Sequence, residues 1–169
     1  MIARNNEGIL TDVPTASPEV YVRLQATYVG RLGVNVGIFV AVDHLRRADR
    51  LSLEEENLFF DVDDWFRAAL PEPPFYDDGN SLRAVTWFKR STAAHMLDRL
   101  ALLQAILTKY RVEHSEVASV DPGTIIYEDD FQVGVIPYQR TEPTPLPEGL
   151  VLGPTTAGSK RHLGKAYRP

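Results

Sequence analysis

Three consecutive carboxylates, Glu128, Asp129 and Asp130, lie between two apolar, β-branched runs, TIIY and FQVGVIPY. Such a group could supply a general base, for which Glu128 or Asp129 is the candidate, or could bind a metal ion. Either role needs convergent partners, and no other ligand stands at a diagnostic spacing. The alternative is that the acids form the solvated end of a β-hairpin, with a bulge that turns one carboxylate aside. We favour the hairpin.

A second candidate site is the junction between a strand and a helix in the segment TWFKRSTAAH, residues 86–95. Lys89, Arg90, Ser91 and Thr92 precede the helix, and the free N–H groups of a helix N-terminus favour a phosphate or a carboxylate. The junction has no glycine with which the backbone could wrap an anion. Capping of the helix by Ser91 or Thr92 explains the same residues, so the sequence allows an anion site but favours an ordinary cap.

The four histidines offer one catalytic candidate. His95 stands three residues before Asp98 on one face of the same helix, and such a pair could orient an imidazole as a general acid. An exposed pair with this spacing is common, so the structural interpretation is the stronger one. His44, His114 and His162 show no ligand spacing relative to one another or to His95, and the sequence therefore predicts no metal and no cofactor.

Aromatic residues around the turn LPEPPFYDDGNS are candidates for contact with a partner. Phe75, Tyr76 and Trp87 flank or occupy this turn, and tyrosine and tryptophan are frequent anchors at protein interfaces. A place in the hydrophobic core explains aromatic residues equally well. Near the end of the chain, Lys160 and Arg161 are candidates for contact with an acidic surface.

Composition limits the classes of function. The chain of 169 residues contains no cysteine, which excludes disulfides, thiol nucleophiles and thiolate metal sites. The net charge is −5, but residues 155–169 carry four basic side chains and no acidic ones, so the first 154 residues carry −9. The acidic first 154 residues should repel nucleic acid. Only the basic residues 155–169 could bind it, and this binding would be weak. We expect a cytoplasmic protein without membrane contact, because the sequence has no signal-peptide pattern and no apolar run of membrane-spanning length.

Periodicity predicts the elements that position these candidates. Residues 19–140 should form a single α+β domain with the order β-α-α-β-α-β-β-β, a mostly antiparallel sheet and a last part with the order of a βαβββ unit. Ser52 and Glu55 form a capping-box pattern at the start of the second helix. Residues 1–18 should be an irregular arm, and the proline-rich, basic residues 141–169 a flexible linker and tail.

Three segments, LPEPPFYDDGNS, AVTWFK and PGTIIYEDDFQVGVIP, resemble a group of short, uncharacterised actinobacterial proteins, some of them phage-related. The resemblance covers roughly residues 20–138. It implies a bacterial, cytoplasmic setting but carries over no activity, cofactor or catalytic residue. It also implies that the three segments meet in space, which would bring Asp77, Asp78, Lys89 and Glu128 into one neighbourhood.

Two hypotheses of function follow. The first is a non-catalytic protein-binding or regulatory module that contacts a protein partner or a second copy of itself, for example through docking of the basic tail on the acidic body. The second is an enzyme for a small anionic, phosphorylated substrate, with Lys89 to Thr92 as the anion site, Glu128 or Asp129 as the base and His95 as the acid. The absence of a nucleophile motif, a metal cluster and a glycine loop favours the first hypothesis.

Overall fold

The longest strand, β1 (Tyr21–Val29), organises the sheet of the structure, a computed structural model that describes residues 16–151. The other elements, in chain order, are β2 (Asn35–Gly37), α1 (Ile38–Arg47), α2 (Leu53–Ala69), a 3-10 turn (Pro74–Tyr76), β3 (Val85–Lys89), α3 (Ala94–Lys109), β4 (His114–Ser119), β5 (Thr124–Glu128) and β6 (Gln132–Ile136). This architecture confirms the predicted single α+β domain and adds one short strand, β2, to the predicted order. Most of the predicted arm and the tail beyond residue 151, with Lys160 and Arg161, lie outside the described residues.

Strand β1 pairs with three other strands, all antiparallel. Along one edge it pairs with β4 from Tyr21 to Ala26. Along its other edge it pairs first with β3, at Tyr21 and Val22, and then with β2, at Gln25 and Val29. Because β3 also pairs with β6, and β6 with β5, the strand order from edge to edge is β4-β1-β3-β6-β5.

Arg23 lies where the pairing partner of β1 changes from β3 to β2. The Nη1 group of this side chain donates hydrogen bonds to the carbonyl of Asn35 at 2.8 Å and to the side-chain oxygen of Gln25 at 2.5 Å. Burial lowers the pKa of Arg23 to about 10, so the guanidinium stays charged at neutral pH. The side chain thus supplies polar contacts where the two ladders on this edge meet.

The sheet must curl, because its two outermost strands are consecutive in the chain. Only residues 120–123 connect β4 to β5, and the five Cα–Cα steps across this connection span at most about 18 Å. Five strands laid flat would place β4 and β5 about 19 Å apart, and the strand ends to be joined are also offset along the strand direction. A flat sheet could not be bridged in this way.

The two faces of the curled sheet are buried by different means. The three helices cover one face and form the main core with β1; its largest buried side chains are Leu45, Phe59, Phe66, Met96, Leu100, Leu103 and Leu107. On the other face Val85, Val133 and Val135 are buried without a helix, beside the partly buried Leu32 and Val34 of the loop between β1 and β2. Curvature of the sheet toward this second face explains their burial.

The helix starts show one correct and one wrong prediction. Helix α2 begins with the predicted capping box: the Ser52 hydroxyl accepts from the Glu55 N–H, and the Glu55 carboxylate accepts from the Ser52 N–H. The predicted cap of α3 by Ser91 or Thr92 is wrong, because the N-cap is Ala93, the residue after Thr92, and it makes no side-chain hydrogen bond. The two hydroxyls instead bind groups outside the helix.

The chain after β6 lies across the domain instead of leaving it. The Thr141 N–H donates to the Gly33 carbonyl at 2.8 Å, and Thr144 both accepts from and donates to the backbone of Val29. Leu146 packs on the periphery of the helical core. Residues 141–151 are therefore attached to the domain, in contrast to the flexible linker expected from their composition. The prolines keep this segment extended, and an extended chain can reach successive backbone groups of the domain.

A buried polar pair joins α1 to β1. The Tyr28 hydroxyl and His44 Nδ1 lie 2.7 Å apart, and the His44 carbonyl accepts a hydrogen bond from the N–H of Val151. Burial lowers the pKa of His44 to about 4 and raises the pKa of Tyr28 above its ordinary value. The imidazole is therefore neutral in the folded protein at neutral pH, whereas the same histidine in the unfolded chain binds a proton near pH 6.5.

We predict that the free energy of unfolding falls by about 2 kcal/mol when the pH is lowered from about 7 to about 5, because the unfolded chain then binds a proton that His44 in the folded protein does not. Urea denaturation at each pH measures this loss. The variant His44→Gln should show a much flatter profile over the same range. The variant His95→Gln, at an exposed position on α3, should keep the wild-type profile; equal profiles for His44→Gln and the wild type would contradict the assignment.

Candidate functional site

Asp129, the central acid of the triplet, organises the turn between β5 and β6. Its Oδ1 accepts hydrogen bonds from the N–H groups of Phe131 at 2.8 Å and Gln132 at 2.9 Å. Its Oδ2 accepts from the Tyr127 hydroxyl at 2.8 Å and from the Gln132 side-chain amide at 3.0 Å. Burial alone would raise the pKa of Asp129, but these hydrogen bonds outweigh it and the pKa lies below its usual value. A carboxylate with four donors is suited to holding a turn and poorly suited to accepting a proton.

The two flanking acids are also explained by local structure. Glu128 forms an ion pair with Lys89, with the Lys89 Nζ and Glu128 Oε1 atoms 2.6 Å apart. The Asp130 side chain is exposed, and its carbonyl accepts a hydrogen bond from the Thr92 hydroxyl at 2.5 Å. The acids therefore point in different directions and do not converge on a common point.

A β-bulge does occur in this hairpin, but not at the acids. The register of β5 and β6 shifts between Ile125, which faces Val135, and Tyr127, which faces Gly134. Ile126 is thus the additional residue of the bulge, and bulges are known to redirect side chains at the edge of a sheet. The expectation that a bulge turns one of the carboxylates aside is corrected: the turn itself accommodates the acids, and the redirected side chain is an isoleucine.

The four residues of the predicted anion site lie together but are engaged within the chain. Lys89 pairs with Glu128, and Arg90 pairs with Glu116, with 2.7 Å between Arg90 Nη2 and Glu116 Oε1. The Ser91 N–H donates to Glu19 at 3.1 Å, and the Ser91 hydroxyl donates to the other oxygen of the same carboxylate. Carboxylates of the protein thus occupy the positions that a substrate anion would need.

Two other predicted proximities have different outcomes. His95 packs its ring edge-on against Phe131, with 5.6 Å between the ring centroids. His95 and Asp98 are both exposed, and no hydrogen bond joins them within residues 16–151. Lys89 and Glu128 do meet, as the resemblance implied. Asp77 and Asp78, however, lie in the loop before β3, whereas Lys89 ends this strand.

The aromatic residues proposed for partner contact are mostly part of the interior. Phe75 is buried against Gly134, where an added Cβ would lie only 2.3 Å from the Phe75 ring. Tyr76 stacks beside Phe75 and is partly buried. Trp87 belongs to the apolar cluster on the helix-free face, and its buried indole Nε1 has no acceptor among the described residues. Gly134 is required because the Phe75 ring lies where a side chain would start.

Sequence reasoning missed a group of exposed apolar side chains on and around β5. This strand pairs only with β6, so its second edge has no strand partner within residues 16–151. Ile125 and Ile126 in β5 are 42% and 38% exposed, and the neighbouring Val120 and Tyr138 are 59% and 64% exposed. The Tyr138 hydroxyl donates to Asp121 at 2.7 Å, which places Tyr138 beside the β4–β5 connection. We call Val120, Ile125, Ile126 and Tyr138, with the free edge of β5, the β5 surface.

The other outer strand, β4, has a different character. Its outer positions carry Ser115, Glu116 and Ala118, and Glu116 is held in the ion pair with Arg90. A charged side chain on an edge strand opposes pairing with another strand. In β5 the one charged residue, Glu128, stands at the end of the strand and is likewise paired, with Lys89. Of the two edges, β5 is the one whose central residues carry no charge.

The described residues offer no metal centre and no membrane-spanning helix. Among residues 16–151 no group of three or more histidine, aspartate or glutamate side chains is arranged to hold a metal ion. None of the helices in the same range has the length and apolar character that crossing a bilayer requires. One cleft of about 140 Å³ is lined by Arg67, Leu70, Pro71 and Glu72, and it contains none of the predicted catalytic or anion-binding residues.

Comparison with known proteins adds no assignment, because the chain matches no protein-family model, no curated protein and no solved structure. The function is therefore argued from the geometry of the described residues.

We predict that Asp129→Ala lowers the free energy of unfolding by about 2–3 kcal/mol, because the N–H groups of Phe131 and Gln132 and the partly buried Tyr127 hydroxyl lose their acceptor, and the buried Gln132 amide loses one of its two. Asp130→Ala removes an exposed carboxylate from the same turn and should change stability by less than about 0.5 kcal/mol. Urea denaturation of both variants at neutral pH measures the difference. Equal losses for the two variants would contradict the structural role of Asp129.

Proposed function

We propose that the chain is a non-catalytic protein-binding module that takes up an extended segment of a partner along the free edge of β5. One observation carries the proposal: among residues 16–151, β5 is an outer strand with no pairing on one side, and it exposes Ile125 and Ile126. Unpaired edges with apolar side chains are usually short, charged or covered in proteins that stay free of partners. β5 is short and contains a bulge, but its residues 124–127 carry no charge and no strand covers them within residues 16–151, so they are accessible to strand addition.

The chemistry of such a complex follows from the β5 surface. Backbone N–H and C=O groups of β5 would pair with those of the partner strand and supply affinity that does not depend on sequence. Ile125 and Ile126 would contact the partner's side chains, and Val120 and Tyr138 extend the apolar area beside the strand. This chemistry favours partner segments that are extended, apolar at alternate positions and free of proline.

The enzyme hypothesis has less support from the same contacts. Its proposed anion site, residues 89–92, is engaged by Glu19, Glu116 and Glu128. Its proposed base, Asp129, already accepts four hydrogen bonds. A substrate anion would therefore have to displace carboxylates of the protein before it could bind.

A bacterial, cytoplasmic setting is part of the proposal. It rests on the resemblance of the segments LPEPPFYDDGNS, AVTWFK and PGTIIYEDDFQVGVIP and on the absence of cysteine, which suits a reducing compartment. Docking of the basic residues 155–169 on an acidic surface remains a second mode of contact, and it differs from strand addition because salt weakens it.

We predict that randomised peptides displayed on phage and selected on dilute full-length protein converge on extended segments with alternating apolar residues. The variant Ile126→Lys should lose binding of the selected peptides, because it adds a charge at the centre of the edge. Val40→Lys is the matched control, since Val40 is 45% exposed on α1, and it should retain binding. The proposal fails if no peptide is enriched, or if the enriched peptides bind Ile126→Lys as tightly as the wild type.

A further inference from the structure

We propose that the partner of the β5 surface is a second copy of the chain, whose β5 pairs antiparallel with the first around a two-fold axis at Ile126. The inference rests on the proposed function and names its partner. Two-fold dimers are the commonest assemblies of soluble proteins, and a two-fold contact uses the same surface on both copies. The surface must then be complementary to itself, in both charge and shape.

The charge distribution of β5 meets this condition in one orientation. Thr124, Ile125, Ile126 and Tyr127 are uncharged, and Glu128 at the end of the strand is paired with Lys89. Antiparallel pairing around Ile126 places Glu128 of each copy opposite Thr124 of the other. Parallel pairing would instead place the two Glu128 side chains side by side, and because each is more than half exposed beside its Lys89, their like charges would still oppose each other. The sequence of β5 therefore selects the antiparallel arrangement.

The apolar residues are also positioned for a symmetric contact. Ile125 and Ile126 occupy the centre of the five-residue strand, so antiparallel pairing brings the isoleucines of both copies together at the axis. Val120 and Tyr138 lie beside the start of β5, and each would approach the end of the partner's strand. A two-fold contact closes on itself and uses up the free edge of both copies, so it forms a dimer and not a fibre.

The same geometry limits the strength of the dimer and sets its salt dependence. The pairing strand has only five residues, and the bulge at Ile126 interrupts its ladder, so we expect a weak contact with a Kd in the micromolar range.

Asp121 of one copy and the exposed Asp130 of the other would lie near each other at each end of the paired strands. Salt screens this repulsion, so the dimer should tighten as salt is added. Docking of the basic tail would show the opposite dependence.

Sedimentation velocity of the full-length chain across the micromolar range, at low and high salt, tests the proposal. The expected result is a monomer–dimer equilibrium that shifts toward the dimer at high salt, is lost in Ile126→Lys and is retained in Val40→Lys. A monomer at every concentration, or a dimer that Ile126→Lys leaves unchanged, would overturn the proposal.

If the chain stays monomeric while selected peptides still bind at β5, the proposed dimer is wrong and the proposed binding function stands. If no peptide binds either, both proposals are wrong.

Cross-linking tests the orientation, and the absence of native cysteine makes it specific. Ile126→Cys should form a disulfide-linked dimer under mild oxidation, because the proposed two-fold axis brings residue 126 of one copy next to residue 126 of the other. A mixture of Thr124→Cys and Glu128→Cys should form mixed dimers, whereas each variant alone should not. Efficient cross-linking of Thr124→Cys alone would overturn the antiparallel arrangement.

Discussion

The connection between β4 and β5 is the constraint on which the rest of the structure depends. Four residues join the two strands that stand at opposite ends of the strand order, so the sheet has to curl. The curl buries Val85, Val133 and Val135 on a face that no helix covers. It does not close the sheet, because β4 and β5 are not paired with each other within residues 16–151, and the outer edges of both strands stay open. The surface that we assign to binding is thus a direct result of the topology.

The acid triplet has a structural role that supports this surface. Asp129 fixes the turn, Glu128 neutralises Lys89 and the Asp130 carbonyl receives the Thr92 hydroxyl. Together these contacts anchor the hairpin to the start of α3. A rigid hairpin keeps β5 extended and ready to pair, and such preorganisation lowers the entropic cost of binding. In the proposed module the carboxylates therefore hold the hairpin in place.

Local patterns predicted the elements well, and non-local contacts account for what they missed. The hairpin around the acid triplet was predicted from the two β-branched runs that flank it, and β5 and β6 lie in those runs; the capping box at Ser52 was likewise local. The predicted cap of α3 failed because Ser91 binds Glu19, a residue 72 positions away in the chain. No local signal could show that β5 is an outer strand, since the position of a strand in a sheet depends on pairings between distant segments.

Hydrogen exchange of the β5 amides tests the central claim, that this edge is open in the monomer. We expect rapid exchange of the outward-facing amides of β5 in dilute protein, slow exchange in the adjacent β6, and increasing protection of β5 alone as the protein concentration rises. Protection of β5 in dilute protein equal to that of β6 would show that the edge is already covered within one chain, and would contradict the account.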